Sequence, residues 1–116
     1  MVNFACKEID ILNVVKCSLG LSKGEVIILK FLVKNSLKFY STDEISRKLG
    51  FEKSTIQKCV KKLYDLKILI KRQKNLDGGG YEFEYCGIEV EKVREIILKN
   101  INLWVSRIEK ELCNFN

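Results

Sequence analysis

A chain of 116 residues, 47% hydrophobic and 31% charged, has the balance of one ordinary globular domain rather than of a disordered segment. It contains no histidine, and its five cysteines (Cys6, Cys17, Cys59, Cys86 and Cys113) lie 11, 42, 27 and 27 residues apart with no CxxC pair, which argues against both a zinc site and a disulfide framework. No apolar run approaches the roughly 18 residues needed to cross a bilayer, and MVNFACKEID carries acids where a secretory signal would be basic. The expectation is a cytoplasmic protein with no membrane partner, no metal and no cofactor. Its cysteines should be reduced and mostly buried, unless one acts as a redox-sensing thiol, for which Cys6 is the candidate.

In chain order, residues 3–19 place Cys6, Ile9, Leu12, Val15 and Leu19 on one stripe and end at Gly20, which predicts an amphipathic N-terminal helix. In LSKGEVIILKFLVKNS, Ser22 precedes Glu25 in capping-box spacing, and Val26, Ile28, Leu29, Leu32 and Val33 form a broad apolar face, predicting a central core helix. Residues 37–41 read as a loop. Thr42 then caps a short helix, with Asp43 and Glu44 at its dipole-positive end, Ile45 and Leu49 inward, and Gly50 as its stop.

After a tight turn at Phe51 and Glu52 comes a helix over about 53–66 whose inward positions are Ile56, Cys59, Val60, Leu63 and Leu66. Its other side carries Ser54, Gln57, Lys58, Lys61 and Lys62. Between Lys53 and Lys74 eight bases (Lys53, Lys58, Lys61, Lys62, Lys67, Lys71, Arg72, Lys74) meet one acid, Asp65, so this segment holds +7 of a formal net charge of +6. A helix that only kept the domain soluble would interleave glutamates with those lysines. The concentration is the electrostatic footprint of a polyanion site, set against the plain alternative of a solvated charge run.

Ile68 to Lys71 and YEFEY alternate on either side of NLDGGG, predicting a β-hairpin over about 68–86. A phosphate loop would instead lead from a strand into a helix, so the three glycines are read as a turn. From residue 88 to the end, Val93, Ile97, Ile101, Trp104, Ile108, Leu112 and Phe115 recur at spacings of 4, 4, 3, 4, 4 and 3, a heptad-like seam. This long helix should pack on a second copy, making Val93, Ile97, Ile101, Trp104, Ile108 and Leu112 a dimerisation stripe, or alternatively on the N-terminal helix of the same chain. The fold expected is mainly α with a small hairpin in one domain, 1–116: N-terminal helix 3–19, central lobe 21–87 and C-terminal helix 88–116.

The phrase TDEISRKLGFEKSTIQKCVKKLYDLKILIKR, with Ile45, Leu49, Gly50, Ser54, Thr55, Ile56, Leu63, Ile68 and Leu69 in matching places, resembles the winged helix-turn-helix of the MarR and TrmB-like transcription regulators of archaea and bacteria. Two positions depart from it. Glu52 stands where a serine or threonine is usual, and Lys67 replaces the glycine that commonly closes the recognition helix, so it would have to adopt a left-handed conformation or let the helix end differently. The resemblance implies a homodimeric, non-enzymatic regulator that binds double-stranded DNA, with the basic helix in the major groove and the hairpin on the backbone or minor groove. Ser54, Thr55, Gln57 and Lys58 would then reach base edges, and Lys53, Lys61, Lys62, Lys71, Arg72 and Lys74 would hold phosphates. It also implies a small-molecule effector pocket, for which Trp104, Phe4 and Phe39 are candidate lining. Two rivals remain: a winged-helix protein-interaction module, suggested by Glu52, Glu82 and Glu84, and a non-specific architectural DNA-binding protein.

Overall fold

Asp10 decides where the first helix begins. In the computed structural model, which describes residues 2–5 and 7–115, the helix α1 spans Ile11–Leu19, and the Asp10 carboxylate accepts the Leu12 backbone N–H at 3.0 Å. The expected helix over 3–19 is therefore corrected to its second half. Ahead of Asp10, β1 (Val2–Phe4) and β2 (Lys7–Ile9) form a short antiparallel pair with Val2 opposite Ile9. An N-cap aspartate holds extended backbone, here φ −72° and ψ 131°, so the apolar period that runs through it in the sequence does not continue as one helix. Gly20, at φ 66°, ends α1 as anticipated.

The chain divides into two units, Met1–Ser22 with Glu91–Asn116, and Lys23–Val90. The first contains β1, β2, α1 and nearly all of α5 (Val90–Cys113), whose 24 residues make it about 36 Å long. The Asn100 side chain donates to the Ser18 carbonyl at 3.0 Å and ties α5 to the end of α1.

The second unit holds α2 (Lys23–Lys34), β3 (Tyr40–Ser41), α3 (Thr42–Leu49), α4 (Lys53–Asp65), β4 (Leu69–Asn75) and β5 (Tyr81–Gly87). Its core is made by Ile28 and Leu32 of α2, Ile45 of α3, Ile56 and Leu63 of α4, and Ile68, all fully buried. At roughly 1.5–3 kcal/mol for each such side chain, these six positions dominate the stability of the unit. The antiparallel sheet has order β3–β5–β4, with Tyr40 opposite Tyr85 and Lys71 opposite Tyr85 from the other side.

Strand β3 lies where a loop was expected. Two residues are too few to register as an alternation, and what holds them is tertiary: pairing to β5 and the Tyr40 ring packed 5.1 Å from that of Phe31. The cap of α3 accordingly moves back one residue. Ser41, not Thr42, accepts the Glu44 N–H at 3.2 Å, while Glu44 accepts the Ser41 N–H at 3.3 Å, a reciprocal capping box. Ser46 donates to the Phe51 carbonyl and fixes the turn between α3 and α4.

Helix α4 ends in a Schellman motif with lysine in the glycine position. Ile68 N–H donates to the Leu63 carbonyl at 3.1 Å and Lys67 N–H to that of Tyr64 at 2.9 Å, with Lys67 at φ 64°. The left-handed conformation costs a side-chain-bearing residue roughly 1–2 kcal/mol, which glycine would avoid at the expense of a more flexible unfolded chain. Lys67→Gly is expected to stabilise the protein by about 0.5–1 kcal/mol in equilibrium urea unfolding. A lower midpoint would mean that the Lys67 side chain contributes more than its backbone loses.

Candidate nucleic-acid interface

Helix α4 buries Ile56, Cys59, Val60 and Leu63, and at about 100° per residue this fixes what the opposite side displays. Ser54, Lys58, Lys61 and Asp65 point most directly outward. Thr55 and Lys62 fall on one flank, Gln57 and Tyr64 on the other. All eight are exposed. The four residues expected to read bases, Ser54, Thr55, Gln57 and Lys58, therefore occupy the first two turns of an open helix face.

The flanks differ electrostatically. On the Lys62 side, its ammonium contacts the Glu25 carboxylate of α2 at 3.1 Å; Glu25 is buried, so this pair anchors α4 to the core helix. Beside them lies the buried Cys59. Burial pushes its thiol pKa up, the Glu25 carboxylate adds to the rise and Lys62 opposes it, leaving an unreactive neutral thiol. Cys86 is buried too, but Cys17 and Cys113 are exposed, against the expectation of mostly buried cysteines. Cys6 lies outside the described residues, as does the Phe4 side chain.

The other expected phosphate-binding residues divide by partner. Lys53, at the start of α4, pairs with Asp43 at the start of α3 across 3.2 Å. Glu52 caps α4 without a side-chain hydrogen bond, leaving its carboxylate exposed at the helix entrance. Arg72 donates to Glu84 at 2.9 Å and stacks 4.0 Å from the Phe39 ring centroid, and Lys74 reaches the same carboxylate at 4.0 Å. Glu84 is only 4% exposed, so the face of the hairpin bearing Arg72 and Lys74 is partly neutralised by a fixed internal anion. Lys71 points to the opposite face, with its ammonium 4.2 Å from the Phe83 ring centroid and 5.1 Å from that of Tyr64. Lys58, Lys61, Lys67 and Lys71 form no ion pair among the described residues.

Sequence reasoning missed the internal partners Asp43, Glu25 and Glu84, each distant along the chain from its cation. It also missed the cluster of Tyr64, Lys71 and Phe83. The alternation of YEFEY was a usable signal for the latter, because it already put Tyr81 and Phe83 on one face of the hairpin.

On α5, the candidate dimerisation residues grade along the helix. Val93 is buried within the chain and so is not available to a partner, a correction to its place in that stripe. Ile97 and Ile101 are half-buried, whereas Trp104 (62%), Ile108 (37%) and Leu112 (61%) lie open. No helix among the described residues is long and apolar enough to cross a membrane, and among them no group of three or more Cys, Asp or Glu side chains could hold a metal ion.

Three helices, a helix-turn-helix in α3 and α4, and a hairpin closed by a third short strand define a winged helix of the kind found in transcription regulators. The family model of the DnaD N-terminal domain matches residues 9–107, and the chain belongs to that family. It is 37% identical over its whole length to a solved structure described as a possible transcriptional regulator from Methanosarcina mazei Go1, covering 97% of that chain with a TM-score of 0.94. The uncharacterized protein MJ1082 of Methanocaldococcus jannaschii is 27% identical over 94% of this chain and 88% of its own. In fold alone, the chain is also similar to a MarR protein from Peptoclostridium difficile (22% identity, 100% and 81% coverage, TM-score 0.52) and to a mutant of Staphylococcus aureus MepR bound to an oligodeoxyribonucleotide (9% identity, 91% and 73% coverage, TM-score 0.56).

Proposed function

We propose that this protein is a MarR- or TrmB-like transcription regulator that binds double-stranded DNA as a homodimer, in the cytoplasm and without enzymatic activity. The observation that carries the reading is the open face of α4, where Ser54, Gln57, Lys58 and Lys61 stand unobstructed on a helix whose other side is locked into the core. That a protein of similar fold, a MepR mutant, is bound to an oligodeoxyribonucleotide supports a DNA-binding reading. Inserted in the major groove, α4 presents Gln57 to adenine and Lys58 to guanine, with Ser54 and Thr55 at the groove floor. Lys53, Lys61, Lys62, Lys71, Arg72 and Lys74 hold phosphates, and the hairpin lies along the backbone or minor groove. Residues 1–116 act as one functional domain, in which α5 joins two copies and sets the reading heads about 34 Å apart. A small-molecule effector would act by shifting that separation.

Fluorescence anisotropy on the duplex upstream of the protein's own gene and on random duplex, at two salt concentrations, tests this. A preference of about a hundredfold or more for one site supports a specific regulator. Lys61→Ala is expected to weaken all duplexes alike and reduce the salt slope by about one. Gln57→Ala is expected to relax discrimination at one base position by about 1–3 kcal/mol while leaving random duplex unaffected.

A second reading, a protein-interaction module, is favoured by one observation: Lys53, Lys62, Arg72 and Lys74 already contact carboxylates of the same chain. Absence of duplex binding even at low salt would favour that reading over the first. Equal, steeply salt-dependent binding to every duplex would instead indicate an architectural role.

A further inference from the structure

The hairpin has two chemically different faces. Ile70, Arg72 and Lys74 share one with Glu82, Glu84 and Cys86, and there the basic groups meet carboxylates. The other combines Lys71, Gln73 and Asn75 with Tyr81 and Phe83, since directly opposed residues of an antiparallel pair project to the same side. Tyr81 and Phe83 pack edge to face with centroids 5.4 Å apart, and Lys71 bridges Phe83 to Tyr64 of α4. Three aromatic rings thus stand in one continuous patch and remain open, Tyr81 at 57%, Tyr64 at 42% and Phe83 at 36% exposure. A core explanation does not apply to rings this exposed.

We propose that this aromatic face of the hairpin, Tyr81 and Phe83 with Tyr64 and Lys71, is a stacking platform for the unpaired bases of single-stranded DNA. Rings that alternate along a sheet offer successive bases a flat apolar surface, and stacking tolerates any base because every base has a π-face. The charge is complementary, with lysines at the rings and Asp65 an exposed acid beside Tyr64 on α4. Lys61 lies one turn from Tyr64 on α4, and with Lys71 it is a cation that carries no ion pair among the described residues. The Gln73 amide, which donates to the Asn75 side chain at 3.3 Å, sits on the same face within reach of base edges. Duplex DNA, whose bases are stacked on each other, offers these rings no free base face to stack on. The choice of DNA over RNA rests on the duplex reading of the neighbouring α4 face.

The test is anisotropy of the full chain with labelled oligothymidylate of about fifteen nucleotides, with oligouridylate and random duplex as parallel probes. Wild-type protein is expected to bind oligothymidylate at low salt, and Tyr81→Ala and Tyr64→Ala each to weaken that binding about tenfold while changing duplex affinity less than twofold. Both rings are exposed enough for removal to leave the fold intact, which unchanged thermal melting would verify. Failure of wild type to bind oligothymidylate, or binding that neither substitution weakens, overturns the platform. So does an equal loss for duplex and single strand, which would make the rings part of the duplex surface. Preference for oligouridylate overturns the assignment to DNA. Loss of duplex binding in Lys58→Ala with oligothymidylate binding retained would separate the two surfaces and support the platform.

Discussion

Gly87→Ala is expected to destabilise the protein by about 3 kcal/mol or more, lowering the melting temperature by about 10 °C. Gly87 closes β5 opposite Leu69 and lies against the backbone of α2 at Leu32 and Val33. A Cβ built there would lie 2.5 Å from the Leu32 carbonyl oxygen, 2.6 Å from its carbon and 2.8 Å from the Val33 nitrogen. All three are backbone atoms of a helix, so no rotamer change relieves the contact. Either α2 moves off the sheet, opening the packing around the fully buried Leu32, or β5 gives up its pairing. Glu25 of α2 also anchors Lys62 of α4, so any displacement of α2 should disturb the basic face and reduce duplex affinity in whatever protein remains folded. Gly78→Ala is the control: it lies at the hairpin tip with nothing within 4 Å of the added Cβ, and it should leave the melting temperature unchanged. Equal melting of the two variants would mean that the helix–sheet spacing is slack.

That contact illustrates what could and could not be read from the residues alone. The elements with strong local signals were legible: the apolar faces of α2 and α4, the stop at Gly50, and the alternating strands around NLDGGG all occur where the pattern puts them. Lys67 was legible in part: the loss of the expected glycine left either a left-handed lysine or a different helix end, and the lysine is left-handed. Features fixed by tertiary pairing were not. Strand β3 exists because β5 offers it an edge, and the helical period across Asp10 yields to an N-cap that the stripe of Cys6, Ile9 and Leu12 concealed. At the candidate interface the count of eight bases was correct, but the count carries no geometry. Glu25, 37 residues from Lys62, and Glu84, 12 from Arg72, determine which cations are already held by a carboxylate of the same chain.

Replacing Trp104 and Leu112 together by glutamate is expected to convert the proposed dimer into a monomer of 13.5 kDa and to lower affinity for a two-half-site duplex by a hundredfold or more. Both side chains are more than three-fifths exposed; with Ile108 they continue one stripe along the last turns of α5, and the 80% exposed Phe115 follows just beyond its end. A single exposed apolar residue needs no explanation, whereas an exposed tryptophan in line with an isoleucine, a leucine and a phenylalanine is the pattern of a surface that another surface covers. Two facing glutamates on each copy would place like charges in that seam and leave them desolvated, so association rather than folding should fail. Since neither residue is buried, thermal stability of the monomer should change by no more than about 0.5 kcal/mol. Light scattering separates the alternatives. A wild-type mass of 13.5 kDa at micromolar concentration would show that the stripe is not a self-association surface. If the wild type is instead twice that mass and the variant is not, the remaining affinity of the variant for a single half-site measures what one α4 contributes alone. The ratio of the two affinities, multiplied by the half-site dissociation constant, then gives the effective concentration that α5 imposes on the second reading head.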